Sequence, residues 1–282
     1  MIGITPFCGY CYRVSVLSIF IKLIPIFQIL FVITTWAVTT NVVAGESYNP
    51  HKRVMFIGNS FSYYNNGLQN HLAGLVRSAN EWSRSHRYRL STLSGGRLYE
   101  HTEQLRNSMR SEKIKWDSVV LQPQSNEAIV KARVDSFNLA LSEQVEIIRK
   151  AGSEPLLFMT WAYKSSGDMH QRLEQAYLDA GTKYNLRLIP VGIAFHQVKK
   201  QLPNIDLYVA DILSIDSKGA LTYKADIKHP SWAGTYLAAC VFYAALYRKS
   251  PENLPYTGGL NLPLANQLQR IAWQTVEHFD AM

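Results

Sequence analysis

Short apolar runs bounded by polar and turn residues recur along the chain from about residue 50 onward. Each run is four to six residues long and most of the runs are largely apolar, a pattern typical of strands that are buried on both faces of a sheet. The predicted strands are residues 54–57, 88–93, 118–121, 155–160 and 187–191.

Amphipathic segments with helical spacing of their apolar residues separate these runs. The predicted helices are residues 68–79, 98–109, 132–151, 170–184 and 231–247. Strands that alternate with helices predict a parallel sheet covered on both faces, an α/β fold of the three-layer α/β/α sandwich type. No Pro/Gly/Ser-rich linker divides the region, so residues 45–282 are predicted to form one domain.

The N-terminal 44 residues have a different pattern. Residues 23–44 carry no charge, follow Arg13 and Lys22, and end in small residues before Gly45, which is typical of a signal peptide. An uncharged run of this length is also long enough to span a bilayer, so an uncleaved N-terminal membrane anchor is the alternative. Both interpretations predict an exported domain, either periplasmic or secreted, or anchored to the membrane outside the cytoplasm.

Composition narrows the function classes only slightly. The chain has 29 Lys and Arg against 21 Asp and Glu, but the basic residues are scattered, so no nucleic-acid partner is expected. Cys8 and Cys11 fall in the leader and Cys240 lies alone in an apolar run, which predicts a core thiol and no intramolecular disulfide after residue 44. Nucleotide-binding and metalloprotease motifs are absent from the sequence, and neither a cofactor nor a metal is predicted.

Two segments at opposite ends of the domain carry candidate chemistry. Ser60 follows the first predicted strand directly, where its hydroxyl is raised at the rim of the sheet; the alternative is that it caps the next helix. Near the C-terminus, Asp226 precedes His229 by three residues. That spacing allows the carboxylate to orient one ring nitrogen while the other acts as a general base.

These residues, in this order, resemble the SGNH hydrolase superfamily, also called GDSL-type esterases. The Gly-Asn-Ser-Phe sequence at residues 58–61 matches the first block of a variant branch, and Asp226, His229 and Pro230 match the last block. The resemblance implies a flavodoxin-like sheet with Ser60 as the nucleophile, His229 as general base and acid, and Asp226 as the residue that orients His229.

The same resemblance implies an oxyanion hole. It assigns the backbone N–H groups of Ser60 and Gly95 to this role, with Gly96 as the alternate glycine. The third block departs from the family's Gly-x-Asn-Asp motif and is similar to the Gln-Gly-Glu-Ser segment of carbohydrate acetylesterases. We therefore predict that the amide of Gln122 donates to the oxyanion, with Asn126 as the alternate.

After the fourth predicted strand, Trp161 and Tyr163 are predicted to line the substrate pocket, although Trp161 is equally consistent with packing under a loop. His196 is a weaker candidate for the triad, and His71 and His101 are predicted to be structural.

The sequence thus predicts an exported serine esterase whose substrate is a small ester or an acylated carbohydrate, with carbohydrate deacetylation as the leading reaction. Two alternatives stay open: an acyltransferase that uses the same site, and a non-catalytic surface-binding protein on the same scaffold.

Overall fold

A five-stranded parallel sheet forms the centre of the computed structural model, which describes residues 51–110 and 114–282. The strand order is β2-β1-β3-β4-β5 and every neighbouring pair is parallel. The strands are β1 (Arg53–Gly58), β2 (Arg87–Thr92), β3 (Ser118–Leu121), β4 (Glu154–Phe158) and β5 (Arg187–Ile189). All five predicted strands are present, and the predicted α/β sandwich with a parallel sheet is confirmed.

Helices cover both faces of this sheet. They are α1 (Ser60–Tyr63), α2 (Leu68–Ser78), α3 (Thr102–Arg110), α4 (Lys131–Lys150), α5 (Met169–Tyr184), α6 (Val191–Gln201), α7 (Trp232–Tyr247) and α8 (Leu262–Asp280), with a 3₁₀ helix (Leu98–His101) before α3. The predicted helices correspond to α2, the 3₁₀ helix with α3, α4, α5 and α7. The longer helices α6 and α8 were not predicted.

Side chains of β1 point alternately to the two faces of the sheet and so belong to two separate parts of the core. Val54 and Phe56 pack on the side of α2, α7 and α8, whereas Met55 and Ile57 pack on the side of α3, α4 and α5. All four side chains are fully buried. Successive side chains of a strand point to opposite faces, so a continuous apolar run is what a strand between two helical layers requires.

Helix α7 lies inside the molecule and has no polar face. Every residue after Trp232 in this helix is buried, because α2, α6 and α8 all pack against it. Helix α8 covers it with one apolar face and follows Asn261, whose side-chain oxygen accepts the Leu264 N–H at 3.0 Å. This is the hydrogen bond expected of a helix N-cap.

The strand order positions a cleft. From β1 the chain passes to β2 on one side and then crosses to β3 on the other, so the loops after β1 and β3 leave the sheet in opposite directions. Ligands of open parallel sheets bind at such a reversal, outside the carboxyl ends of the strands. Two short antiparallel pairs lie after α6: β6 (Tyr208–Val209) with β9 (His229–Pro230), and a hairpin of β7 (Ile212–Ile215) with β8 (Leu221–Tyr223).

The described residues form one compact unit. None of the helices in residues 51–110 and 114–282 is both long enough and apolar enough to cross a membrane. The predicted leader and its boundary at residues 44 and 45 lie outside the described residues and stay predictions.

Candidate active site

Ser60 is the first residue of α1, and only Asn59 separates it from the end of β1. The cap of this helix is Asn59, whose side-chain oxygen accepts the Phe61 N–H at 3.2 Å. The alternative prediction that Ser60 itself is the cap is therefore wrong. The Ser60 hydroxyl instead lies 2.8 Å from Nε2 of His229, 169 residues away in the chain.

An aspartate lies on the other side of the imidazole. Strand β6 pairs with β9 so that Val209 is opposite His229, and Asp211 follows two residues later. Its Oδ1 lies 2.6 Å from Nδ1 of His229. With the ring neutral and Nδ1 protonated, His229 donates to Asp211 and accepts the Ser60 hydroxyl proton, which is the arrangement of a Ser-His-Asp triad.

Tyr64 supports this pair from the end of α1. Its ring stacks on the imidazole of His229 with the centroids 4.4 Å apart, and its hydroxyl donates to Oδ1 of Asp211 at 3.3 Å. Burial, followed by the nearby Asp211 carboxylate, raises the pKa of Tyr64. The phenol therefore keeps its proton and remains a donor to Asp211.

The prediction that Asp226 orients His229 is wrong in this structure. Asp226 is exposed and its carboxylate forms an ion pair with Lys228. The hydrogen bond from Lys228 holds the pKa of Asp226 below its usual range. The physical reason is the β6–β9 pairing, which brings an acid that lies two residues after β6 to Nδ1, whereas the residues just before His229 turn towards solvent.

The glycine loop after β2 contributes free backbone N–H groups. Gly95 lines the cleft with φ of +66°, and its N–H, like that of Ser60, has no acceptor within the described residues. The N–H of Gly96 is already used, because it donates to the Leu93 carbonyl at 3.1 Å. The geometry thus favours Gly95 over its alternate, Gly96.

Gln122, the predicted oxyanion donor, points away from the cleft. Its side-chain amide is buried and donates to Oδ1 of Asn59 at 3.0 Å and to the Pro123 carbonyl at 2.5 Å. Its oxygen accepts the Asn59 N–H at 2.9 Å. Gln122 therefore fixes the conformation of the loop that carries Ser60, and the prediction that it donates to the oxyanion does not fit this geometry.

Asn126, the alternate donor, also lies outside the cleft, and its side-chain oxygen accepts from Arg133 at 2.6 Å. Of the three side-chain amides in residues 122–126, the one that lines the cleft is that of Gln124. Its Nε2 donates to Oγ of Ser125 at 3.1 Å, and Ser125 lines the cleft as well. Three amides lie within five residues of this segment, and the sequence alone did not distinguish which of them faces the site.

Glu127 connects the loops that carry Gly95 and Gln124. It is fully buried, and its Oε2 accepts the backbone N–H groups of Gln124 at 3.0 Å and Leu98 at 3.3 Å. Burial raises the pKa of Glu127. The two loops follow β2 and β3, the strands on either side of β1. This one carboxylate therefore fixes the positions of both walls of the cleft relative to each other.

The aromatic residues after β4 do not line the cleft as predicted. Trp161 is fully buried between the rings of Phe61 and Phe195, with centroids at 4.2 and 4.1 Å, as its alternative interpretation had it. Tyr163 lies behind the wall, where its hydroxyl is 2.8 Å from Oγ of Ser125. Both residues support the site from outside it.

The other three candidate histidines, His71, His101 and His196, lie outside the cleft. His71 is buried with Nε2 2.9 Å from the Asn65 carbonyl. His101 is buried beneath Gly96, and burial lowers its pKa. His196 stacks on His170 at 3.9 Å, in a separate cavity between α5, α6 and α8.

A cleft of about 490 Å³ opens above Ser60. Its walls come from the loops after β1, β2 and β3 and from the segment between Asp211 and His229, and they are mostly polar. In the part of the chain that the structure describes, no group of three or more His, Cys, Asp or Glu side chains is arranged to hold a metal ion. The chemistry available in the cleft is that of a serine nucleophile, an imidazole base and backbone N–H donors.

Similarity to known proteins is found among solved structures. No protein-family model matches the chain, and no curated protein sequence matches it. Among solved structures, a DUF4886 family protein from Bacteroides uniformis superposes with a TM-score of 0.60 at 19% identity, over 80% of this chain and 95% of that one. A candidate SGNH hydrolase from Slackia heliotrinireducens has a TM-score of 0.50 at 24% identity, over 68% and 97%.

The chain has the SGNH hydrolase fold. An acetyl xylan esterase, AlAXEase, shares this fold with a TM-score of 0.53 at 16% identity, over 68% of this chain and 98% of its own. The fold that the SGNH resemblance of residues 58–61 and of the Asp-x-x-His-Pro segment implies is thereby confirmed. Ser60 and His229 lie at the strand end and the helix start that the SGNH resemblance implies. The acid differs, because Asp211 and not Asp226 contacts His229.

Proposed function

We propose that this chain is a serine esterase with Ser60 as the nucleophile. The observation that carries the proposal is the hydrogen-bonded line from the Ser60 hydroxyl through His229 to Asp211, with donor–acceptor distances of 2.8 and 2.6 Å. Both distances lie in the range required for proton transfer between a nucleophile and its base. The SGNH fold and its presence in an acetyl xylan esterase support an ester as the substrate.

In the proposed mechanism, Nε2 of His229 takes the hydroxyl proton as Oγ of Ser60 attacks the acyl carbon. The resulting imidazolium is stabilised by the Asp211 carboxylate at Nδ1. His229 then protonates the leaving alcohol, and an acyl-enzyme remains on Ser60. Water, deprotonated by the same imidazole, attacks this ester and releases the acid, which restores the free hydroxyl.

The oxyanion of each tetrahedral intermediate is held by the N–H groups of Ser60 and Gly95 and by the amide of Gln124. The two N–H groups have no acceptor among the described residues, so they are available without breaking an existing bond. Each such donor typically contributes about 10²- to 10³-fold in rate.

The substrate class that we favour is an O-acetylated carbohydrate. The walls nearest Ser60 are polar, with Asn59, Ser94, Gln124 and Ser125 around the nucleophile, and hydroxyl and amide groups are suited to hydrogen-bond the hydroxyls of a sugar. The acetyl xylan esterase with the same fold is consistent with this choice.

Labelling with a fluorophosphonate probe tests the nucleophile. We expect stoichiometric labelling of the wild type, and none of Ser60→Ala. Ser62→Ala is a matched control, because Ser62 lies on the same helix and its hydroxyl donates to Gln122 at 3.1 Å instead of facing His229. Labelling of Ser60→Ala at the wild-type level would disprove the assignment, and a wild type that is never labelled would favour the non-catalytic binding protein.

A panel of acetylated sugars and aryl esters of increasing acyl length tests the substrate class. Deacetylation of a sugar at a higher kcat/KM than hydrolysis of an aryl butyrate supports the proposal, and the reverse order contradicts it. Product analysis in the presence of competing alcohols separates hydrolysis from acyl transfer.

Export is part of the proposal and rests on the uncharged segment 23–44 after Lys22. Intact-mass measurement of protein from the native host is expected to give a chain that begins at or near Gly45. A full-length chain in the membrane fraction would favour the anchor, whereas a full-length chain in the cytoplasm would contradict export.

A further inference from the structure

The hairpin between Asp211 and His229 is amphipathic. In its register Ile212 is opposite Tyr223 and Ile215 is opposite Leu221, and the pair Ser214–Thr222 lies between them. The register shifts between Ile212 and Ser214, so Leu213 is opposite no residue of β8, and the two faces are assigned from the regular strand Leu221–Tyr223. Side chains of directly opposed residues share a face, and successive pairs alternate between faces. The hairpin therefore has one apolar face of four large side chains and a polar face where the Ser214 and Thr222 hydroxyls are 2.6 Å apart.

This apolar face is not packed against the rest of the domain. Residues 212–226 are all exposed, and Ile215 is 63% accessible. Half of the exposed large apolar side chains in the described part of the chain lie between Val209 and Tyr223. A two-stranded hairpin without a covered apolar face is only marginally stable in water, so this face gains from an occupant.

The apolar face begins in the cleft. Ile212 lines the cleft beside Asp211 and His229, and the Lys224 N–H donates to the Asp211 carbonyl at 2.9 Å, which closes the base of the hairpin. A molecule whose ester lies at Ser60 can thus extend from the polar cleft onto Ile212 and along the hairpin. Four side chains are too few for a stable contact between two copies of the chain, which buries about 800 Å² on each partner.

We infer that this face binds an aliphatic chain attached to the alcohol part of the substrate. The inference rests on the proposed function: the acyl group and a sugar occupy the polar cleft, and the aliphatic chain leaves it over Ile212. The substrate class is then an amphipathic glycoside ester and not a free acetylated sugar. Three of the four side chains on this face are aliphatic, which favours an alkyl partner, because burial of apolar surface is non-directional and scales with its area.

Calorimetric titration of the full-length Ser60→Ala protein tests this inference without requiring catalysis. The ligands are octyl β-D-glucoside, kept below its micelle concentration, and methyl β-D-glucoside. We expect the octyl glycoside to bind at least about tenfold more tightly, since several methylene groups leave water on the apolar face. The double substitution Ile215→Ser and Leu221→Ser should reduce the ratio of the two affinities towards one.

Leu139→Ser is the matched control, because Leu139 is an exposed leucine of α4 with 73% of its surface accessible; the ratio of affinities should survive this change. Equal binding of the two glycosides, or an unchanged ratio in the double variant, overturns the inference. Neither result depends on Ser60 being the nucleophile, so failure here is distinguishable from failure of the esterase proposal.

Two further measurements separate the other occupants. If hydrolysis of p-nitrophenyl octanoate exceeds that of the acetate and the double substitution removes this preference, the aliphatic chain belongs to the acyl part and the assignment to the alcohol is wrong. If sedimentation velocity shows a wild-type dimer that the double substitution dissociates, the face is a contact between copies, and the inference is again overturned.

Discussion

Asp211 and Asp226 both follow an alanine upstream of His229, yet only Asp211 contacts the imidazole. An asparagine at position 211 can hold the wrong tautomer of the ring and cannot stabilise the imidazolium. We therefore expect Asp211→Asn to lower kcat for p-nitrophenyl acetate by about 10²- to 10⁴-fold.

Asp226→Asn is the matched control for this prediction, since it removes only the exposed ion pair with Lys228. Exposed pairs contribute less than about 1 kcal/mol, and kcat should stay within about threefold. A large loss in Asp226→Asn with a small one in Asp211→Asn would restore the acid expected from the family block.

The amides of Gln122 and Gln124 are two residues apart and should respond differently to removal. Gln124→Ala takes away a donor that faces the cleft, and we expect kcat to fall by about 10²- to 10³-fold with little change in stability. Gln122→Ala leaves the buried Asn59 N–H without its acceptor, so its main effect should be a loss of about 1–3 kcal/mol in the free energy of unfolding.

Steady-state kinetics and urea denaturation of both variants measure the two effects separately. A kcat loss larger in Gln122→Ala than in Gln124→Ala, in protein that is fully folded, would return the oxyanion role to Gln122.

Single residues of the site were predictable where the signal is local. Ser60 and His229 each lie in a short block next to one secondary-structure element, and the structure joins them. Asp211 reaches His229, 18 residues away along the chain, only because β6 pairs with β9. The direction of the Gln122 side chain is set by its hydrogen bonds to Asn59. The sequence alone does not show that the loop of Asn59 lies next to Gln122.

At the scale of elements, Glu127 joins the loops after β2 and β3 and gives their contact a pH dependence. Burial raises the pKa of Glu127 above its ordinary value of 4.5, so the folded state holds this proton to a higher pH than the unfolded state does. As the pH rises through this interval, the wild type loses stability from this site, and Glu127→Gln has no corresponding titration.

We therefore expect the free energy of unfolding of Glu127→Gln, minus that of the wild type, to increase as the pH rises above 4.5, the ordinary pKa of the carboxyl group. Urea denaturation at several pH values measures it. Glu103→Gln is the control, because Glu103 is exposed on α3 and should give a nearly constant difference. A difference for Glu127→Gln that does not change with pH would contradict the buried, proton-binding carboxyl.

Elements with a regular period were predicted well, and those without one were missed. Helix α6 begins at Val191, one residue after Pro190, so the apolar run 187–191 was predicted as a single strand although β5 ends at Ile189. Helix α8 follows a segment rich in proline and glycine that gives no sign of a further core element. Helix α8 is buried against α7 through a tertiary contact. The composition and periodicity of α7 alone do not show that another helix packs on it.

At the scale of the whole molecule, Cys240 reports on global unfolding. The thiol is fully buried in α7 between the other helices, and burial raises its pKa well above the ordinary range. A buried, protonated thiol does not react with disulfide reagents until the helix is exposed. In a chain carrying Cys8→Ser and Cys11→Ser, we expect the native thiol to react at least about 10³-fold more slowly than the urea-unfolded one.

The measurement is the rate of thionitrobenzoate release from Ellman's reagent, in native buffer and in urea. Rapid stoichiometric reaction of the native protein would contradict the placement of α7 inside the molecule.

The closed base of the hairpin has an evolutionary consequence. Asp211 and His229 are held by the β6–β9 pairing and by the Lys224 N–H at the Asp211 carbonyl, while all of residues 212–226 lie in solvent. Insertions, deletions and replacements in that stretch are free to accumulate without moving the imidazole. Under the proposed function, the triad and the inferred substrate-binding face lie in separable parts of one loop, so replacement of the hairpin should change the substrate without moving Asp211 or His229.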